Sequence, residues 1–400
     1  MLKNVYIAGG VRTPFGSFNG SLSSLTAAEL GGIAIRNAVE RAGVDAKEVD
    51  EVLFGNVIGA GQGQNVARQA ARAGGLGVGV GATTVSKVCG SGMRAVILAA
   101  QAIQCGDAHL IVAGGTESMS NAPYLLPKAR TGYRMGDGKL IDAMIRDGLW
   151  DVYTDQHMGH CGDLCARKYD FTREQQDTYS IESYERAIAA WDDGFLAGEV
   201  VPVEVKSRRE TITVDRDEDV KKFAGEEKLR SLRPAFGKES MVTAGNASGI
   251  SDGAAAMVVF DDDKKNALGI KPAGRILGHA NAAMESEWFT IAPIHAIRRL
   301  CDKLGRQAGY AGIKPTDVDL LEINEAFAVV AMVAIKELGI ERSRVNVAGG
   351  AVAIGHPIGA TGARIITTLL RSLERQDKKL GIACVCIGGG EASAIAVERC

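Results

Sequence analysis

Aromatic residues make up only 5% of this 400-residue chain, and there are just six histidines and nine prolines. No long apolar run is present. The longest uninterrupted one, residues 326–335, is about half of the ~20 residues a membrane-spanning helix requires, which predicts no membrane association. Charge of one sign is also missing. Lysine and arginine total 46 against 48 acidic residues, and no basic stripe stands out, which argues against nucleic-acid and membrane-surface partners. The acidic run at residues 215–219, followed by Lys221 and Lys222, reads as a solvated surface. The first ten residues read as a strand and a turn, without the apolar core of a secretory leader or an arginine-rich transit helix. Eight cysteines spread over so long a chain do not resemble a disulfide framework. They are expected to be reduced thiols, which points to a cytoplasmic setting.

Glycine is what the chain has in abundance, 50 residues of it. Tight turns and close backbone approaches follow, as in crowded α/β sites. The chain is too long for one ordinary core, so two or more domains are expected. Its pattern repeats once. Residues 26–56 read as an amphipathic helix, a turn at Ala42-Gly43 and a short apolar strand, and residues 293–324 read the same way. Cys89-Gly90-Ser91-Gly92-Met93-Arg94 then opens an apolar helix leading to a strand at residues 110–113, and Gly359-Ala360-Thr361-Gly362-Ala363-Arg364 opens another leading to a strand at residues 382–387. Two similar βαβ-rich halves explain this order. Residues 123–244 have no counterpart. They contain a long helix over residues 173–190 with Thr172 as its N-cap, and read as a domain inserted into the first half. Residues 249–260 return to a core strand.

Three glycine-rich segments carry reactive side chains. Cys89 lies at the start of a helix, where outward amides and the helix dipole favour a thiolate. Free cysteine is usually a small core hydrophobe, and Cys105, Cys161, Cys165, Cys301 and Cys400 fit that or a surface role. For Cys89, no packing reason demands Gly90 and Gly92 beside it, whereas the approach of a ligand does. His356 precedes Pro357, which disfavours helix there and fixes the imidazole on an irregular turn. Cys386 shares one strand face with Cys384 and runs into Gly388-Gly389-Gly390, whose amides can hold an oxyanion. Asn324 either caps a helix or holds a water or oxyanion, and residue chemistry alone leaves these even. A zinc site at His157, His160, Cys161 and Cys165 is disfavoured because His160 and Cys161 are adjacent and no paired knuckle follows. The Gly77–Ala82 stretch lacks the acidic partner of a dinucleotide loop.

These segments resemble the thiolases, and most closely the short-chain, biosynthetic acetyl-CoA C-acetyltransferases. The carrying motifs are Arg12-Thr13-Pro14-Phe15-Gly16, Lys87 to Gly92, Ala113 to Ser120, Ala244 to Gly249, Asn324-Glu325-Ala326-Phe327, Gly349 to Arg364 and Cys386 to Gly390. The resemblance spans essentially the whole chain. It implies an α/β thiolase fold of two duplicated α/β/α halves forming a five-layered αβαβα core. The first half would comprise residues 1–121 plus 249–272, the inserted loop domain residues 122–248 and the second half residues 273–400. It also implies a homotetramer, a dimer of dimers, with residues 119–140 in the tetramerisation region.

The implied reaction is a reversible Claisen condensation of two acetyl-CoA to acetoacetyl-CoA and CoA. Cys89 would be the nucleophile, His356 its activator, Cys386 the acid/base and Asn324 the holder of a water. The amides of Cys89 and Gly388 would bind the oxyanion. His157 and Ser248 would flank the pantetheine, Met158 and Phe327 the acyl pocket, and Lys221 the nucleotide end. CoA thioesters are substrates here, and neither a cofactor nor a metal is implied. Two positions depart from many relatives: Lys221 replaces arginine, and Glu391 follows the triple glycine. The rival readings are a longer-chain degradative 3-ketoacyl-CoA thiolase, a ketoacyl-synthase-like enzyme lacking the second cysteine, and a non-catalytic carrier on the same fold.

Overall fold

The computed structural model describes residues 3–206 and 210–400. The duplication is written in the strand pairing. In the first half the order is Gly81–Val85, Glu51–Gly55, Leu110–Ser118, Ser251–Asp261, Val5–Arg12. The second half continues with Gly274–Ala283, Glu391–Arg399, Leu380–Ile387 and Leu320–Ile323, and a lone parallel bridge from Leu321 to Val345 stands in the fifth place. From its outer edge inward, each half runs parallel, parallel, antiparallel, antiparallel. The halves join through two antiparallel residue pairs, Tyr6 with Arg275 and Ile7 with Gly274.

Alternation along the strands assigns the layers, because successive side chains point to opposite sheet faces. Tyr6, Val52, Phe54, Leu110 and Val112 pack into one outer core beneath the helices Ala27–Ala42 and Val66–Ala73. Their neighbours Ile7, Leu53, Ile111 and Ala113 turn inward to meet Ala383, Val385 and Ile387 from the other half. Between them lie the helices Ser91–Cys105 and Thr361–Arg375. Ile382, Cys384 and Cys386 face the second outer core, under Ala292–Leu304 and Ala328–Leu338. Helix, sheet, helix, sheet, helix: the five layers expected from the resemblance are present. Residues 88–105 have the length and mean hydropathy of a membrane span, a match the sequence reading missed. Here they are mostly the middle-layer helix, packed between sheets.

The two central helices touch backbone to backbone. A Cβ on Gly92 would lie 2.9 Å from the Gly359 carbonyl oxygen, and one on Gly362 would lie 2.3 Å from the Met93 nitrogen. Gly92 is therefore required by packing between the halves. The expectation that only a ligand's approach explains it is corrected.

Between Ser118 and Ser251 the described residues add no strand to the large sheet. They form short hairpins and two long helices, Met158–Lys168 and Arg173–Asp192, the second closed by a capping box of Thr172 and Gln175. One buried cation fastens this segment to the first strand. Arg12 is fully buried, donating Nε–H to Glu199 at 2.6 Å and a fork to both oxygens of Asp217 at 2.6 and 2.8 Å.

Candidate active site

Cys89 sits on a forced turn. Val88, a β-branched residue, has φ +46°, in a region where such residues are outliers. The turn is held by hydrogen bonds. Ser91 Oγ donates to the Val88 carbonyl at 2.6 Å and accepts from the Lys87 amide at 2.8 Å, while the Gly90 amide donates to the Lys87 carbonyl. The thiol is thereby thrust out ahead of the helix that Gly90 caps. Burial pushes the Cys89 thiol up to about 11; the amides of Gly388 and Cys89 itself aim at the sulfur and oppose that rise, while Glu117 adds to it. The dipole-favoured thiolate expected from sequence is thus outweighed by desolvation, and the resting group is a thiol.

Cys386 closes the strand Leu380–Ile387 and is fully buried. Desolvation raises its pKa well above the ordinary thiol value, and the nearby sulfur of Cys89 raises it further. The Ala326 amide, the Asn324 side chain and its own amide favour the anion. Gly389 and Gly390 follow with φ +89° and +88°, a left-handed pair that turns the chain back and exposes the Gly388 amide. Asn324 is not a cap, because the helix Ala328–Leu338 takes Phe327 at its cap position. Its Nδ2 lies 3.5 Å from His356 Nε2, and its Oδ1 is buried without a partner. A buried orphan oxygen of this kind calls for a water or a ligand.

His356 is oriented by a residue that sequence reasoning passed over. Thr361 Oγ1 donates to the Pro357 carbonyl at 3.0 Å, so toward His356 Nδ1, 2.7 Å away, it must accept. The proton therefore resides on Nδ1, and Nε2 is left as an acceptor, facing Asn324 Nδ2 at 3.5 Å. Burial pulls His356 down to about 3, helped by Arg364, so the ring is neutral at any physiological pH. Ser251 Oγ fixes the His356 backbone, accepting its amide at 3.1 Å.

Cys89, His356 and Gly388 line one cleft of about 470 Å³, together with His157, Met158, Ser248 and Phe327. Cys386 and Asn324 stand immediately behind it. His157 Nδ1 accepts the Gly159 amide at 3.1 Å, capping its helix and leaving Nε2 to donate, while its ring packs on Phe236. Ser248 Oγ donates to the Ala326 carbonyl. The motif around Asn246 gains a reason here: its carbonyl accepts the Ala328 amide and its Nδ2 donates to Asp177, tying the substrate-side loop to the turn after Asn324. Cys161 and Cys165 point into the apolar core.

The structure does not bring Lys221 to the cleft. Its ammonium is exposed and pairs with Asp215 at 3.4 Å, while Lys222 and Lys228 line the adjoining hollow. Glu391 keeps 36% of its side chain exposed. It pairs with Lys87, two residues before Cys89, across the two halves.

A fold with this duplicated sheet, and a cleft lined by a thiol and an imidazole with a second thiol behind it beside amide-lined turns, defines a class suited to thioester chemistry. The family described as "Thiolase, N-terminal domain" matches residues 5–263 and "Thiolase, C-terminal domain" matches residues 270–399. The chain belongs to the thiolase family. It is 52% identical to acetyl-CoA acetyltransferase 2 of Arabidopsis thaliana, over 99% of this chain and 97% of that protein. It is 48% identical to acetyl-CoA acetyltransferases of Escherichia coli K12 and of Pseudomonas aeruginosa, each over the full length of both chains.

Proposed function

We propose that this chain is an acetyl-CoA C-acetyltransferase that condenses two acetyl-CoA molecules reversibly through an acetyl-Cys89 intermediate. The observation that carries this reading is that Cys89 and His356 line one cleft, with Asn324 against His356 and Cys386 near Cys89 behind it, and with backbone amides facing each sulfur. Full-length identity to relatives named for that reaction supports it.

The resting charges suggest a proton balance. Cys89, Cys386 and His356 all begin neutral. Nε2 of His356 takes the Cys89 proton as its sulfur attacks the first thioester carbonyl, and the amides of Cys89 and Gly388 receive the developing oxyanion. The carbon–sulfur bond to CoA breaks, and Cys386 protonates the departing thiolate. This leaves an acetyl-cysteine, an imidazolium and a Cys386 thiolate, the last two stabilising each other. The second acetyl-CoA then loses a methyl proton to Cys386. Its enolate oxygen is held by the imidazolium and by a water on Asn324. The enolate carbon attacks the acetyl group, Cys89 leaves and recovers its proton from His356, and acetoacetyl-CoA departs. Every group is restored, and in reverse the same steps are thiolysis.

His157 and Ser248 are assigned to the pantetheine arm, and Met158 and Phe327 to the acyl pocket. The same reading carries a cytoplasmic homotetramer, with exposed Leu126, Tyr133, Met135 and Leu140 at the contacts between dimers. Intact mass after mixing with acetyl-CoA tests the chemistry. Cys89→Ala is expected to gain no acetyl group. Cys386→Ala is expected to acetylate, His356 then protonating CoA, but not to condense. An acetylated Cys89→Ala protein, or full synthesis by Cys386→Ala, would refute the respective assignment. Efficient thiolysis of eight-carbon or longer substrates would refute the short-chain preference.

A further inference from the structure

A fully buried carboxylate lies beneath the cleft, and no step above uses it. Glu117, on the strand Leu110–Ser118, is surrounded by N–H donors from both halves of the molecule. Its Oε1 accepts from Asn56 Nδ2 at 3.0 Å and from the Ile58 amide at 3.1 Å. Its Oε2 accepts from the Val57 amide at 3.1 Å and from the Gly359 amide at 3.0 Å. Gly359 is three residues beyond His356, in the turn that fixes the imidazole. The approach there is so close that a Cβ on Gly359 would stand 2.3 Å from the Thr116 carbonyl and 2.8 Å from Glu117 Oε2. Ile58 and Ile358, from the two turns that Glu117 joins, pack in one small apolar cluster against Cys89.

Only a carboxylate suits this place. Four donors converge, and a glutamine would offer one acceptor oxygen while turning its own N–H groups on backbone N–H groups. Burial pushes Glu117 up to about 7, with Asp252 raising it further, and the three amides pull the other way. Its charge also raises Cys89.

We propose that Glu117 is a positioning residue for acyl transfer: its carboxylate pins the His356–Gly359 turn of the second half onto the Asn56–Ile58 turn of the first, beneath Cys89, and so sets the geometry between nucleophile and base. This rests on the assignment of Cys89 and His356 made above. Glu117 touches neither His157 nor Ser248, so its loss acts on the chemical step and not on CoA affinity.

The test is single-turnover acetylation of Cys89 by acetyl-CoA in Glu117→Gln, with KM measured alongside and folding checked by circular dichroism. The acetylation rate is expected to fall ~100-fold, the order of loss that follows a misplacement of about 1 Å, while KM stays within about twofold because the binding contacts are separate. The pH midpoint for alkylation of Cys89 by iodoacetamide is expected to move down, since a negative charge near the sulfur has been removed. A folded variant acetylated at the wild-type rate, or one whose loss lies in KM alone, would overturn the proposal. An alkylation midpoint that stays or rises would overturn its electrostatic part. Where Glu117→Gln does not fold, Asn56→Ala withdraws one donor, and acetylation is expected to slow about fivefold. An unchanged rate in that variant would equally overturn the proposal. Wild-type protein that never acetylates would instead sink the functional reading beneath it.

Discussion

At the scale of single residues, burial in the candidate site favours the uncharged forms of its reactive groups. Burial lifts the Cys89 thiol to about 11 and lowers His356 to about 3, so both shifts oppose a resting thiolate–imidazolium pair. The sign is definite. A thiol whose pKa is raised stays protonated through neutral pH, and only the anion alkylates. The rate of Cys89 alkylation in the free enzyme is therefore expected to climb steadily from pH 7 toward about 11. A plateau already reached below pH 8 would contradict this. Cys89, His356 and Cys386 were legible in the sequence because each brings its own local signature, a reactive side chain inside a glycine-rich turn. Thr361 and Glu117 were not. Thr361 stood in a helix start whose other residues explained it, and Glu117's meaning depends on Gly359, 242 residues away. Where the Lys221 ammonium points was hidden for a related reason, since adjacent lysines differ only in which way the short helix Glu218–Lys221 turns them.

At the scale of elements, the two central helices cross in backbone contact. Alanine is the better helix former by about 1 kcal/mol, so an exposed glycine would gain from the exchange. Here the neighbours decide otherwise. The Cβ of Gly362→Ala would meet the Met93 backbone nitrogen at 2.3 Å, whereas that of Gly92→Ala meets backbone at 2.9 Å. Overpacking of this kind costs about 1–3 kcal/mol. Both variants are expected to melt below wild type, Gly362→Ala the lower of the two, as thermal denaturation would show. Glycines at these two positions were visible as matching letters in the repeat. Their reason was not, because a one-dimensional pattern does not tell a turn around a ligand from a contact with the other copy. The order of elements was legible because each half keeps its helix-period and strand-period segments in sequence. The bridge from Leu321 to Val345 was hidden, since a lone bridge leaves no periodicity to read.

At the scale of the whole molecule, one buried cation holds the intervening segment against the first strand. Arg12 answers two buried carboxylates, Glu199 and Asp217. Removing one member of such a cluster strands the others without a counter-charge, at a cost of about 3–5 kcal/mol. Arg12→Leu is expected to lower the midpoint of urea unfolding accordingly, and a variant as stable as wild type would show that water or neighbours compensate. Because Phe15 and Trp191 also bond to Asp217, the same substitution is expected to loosen the contact between the first strand and the long helix Arg173–Asp192.

The join between Tyr6–Ile7 and Gly274–Arg275 has a consequence for how the protein fails. Cys89 belongs to one copy of the duplicated unit and His356 and Cys386 to the other, so on the proposed assignment neither copy owns a reaction. Within the sheet the border between the copies is two residue pairs wide, and the central helices and the Glu117–Gly359 bond carry the rest of the joint. Loosening that joint is expected to part Cys89 from His356 and so to disarm the proposed chemistry.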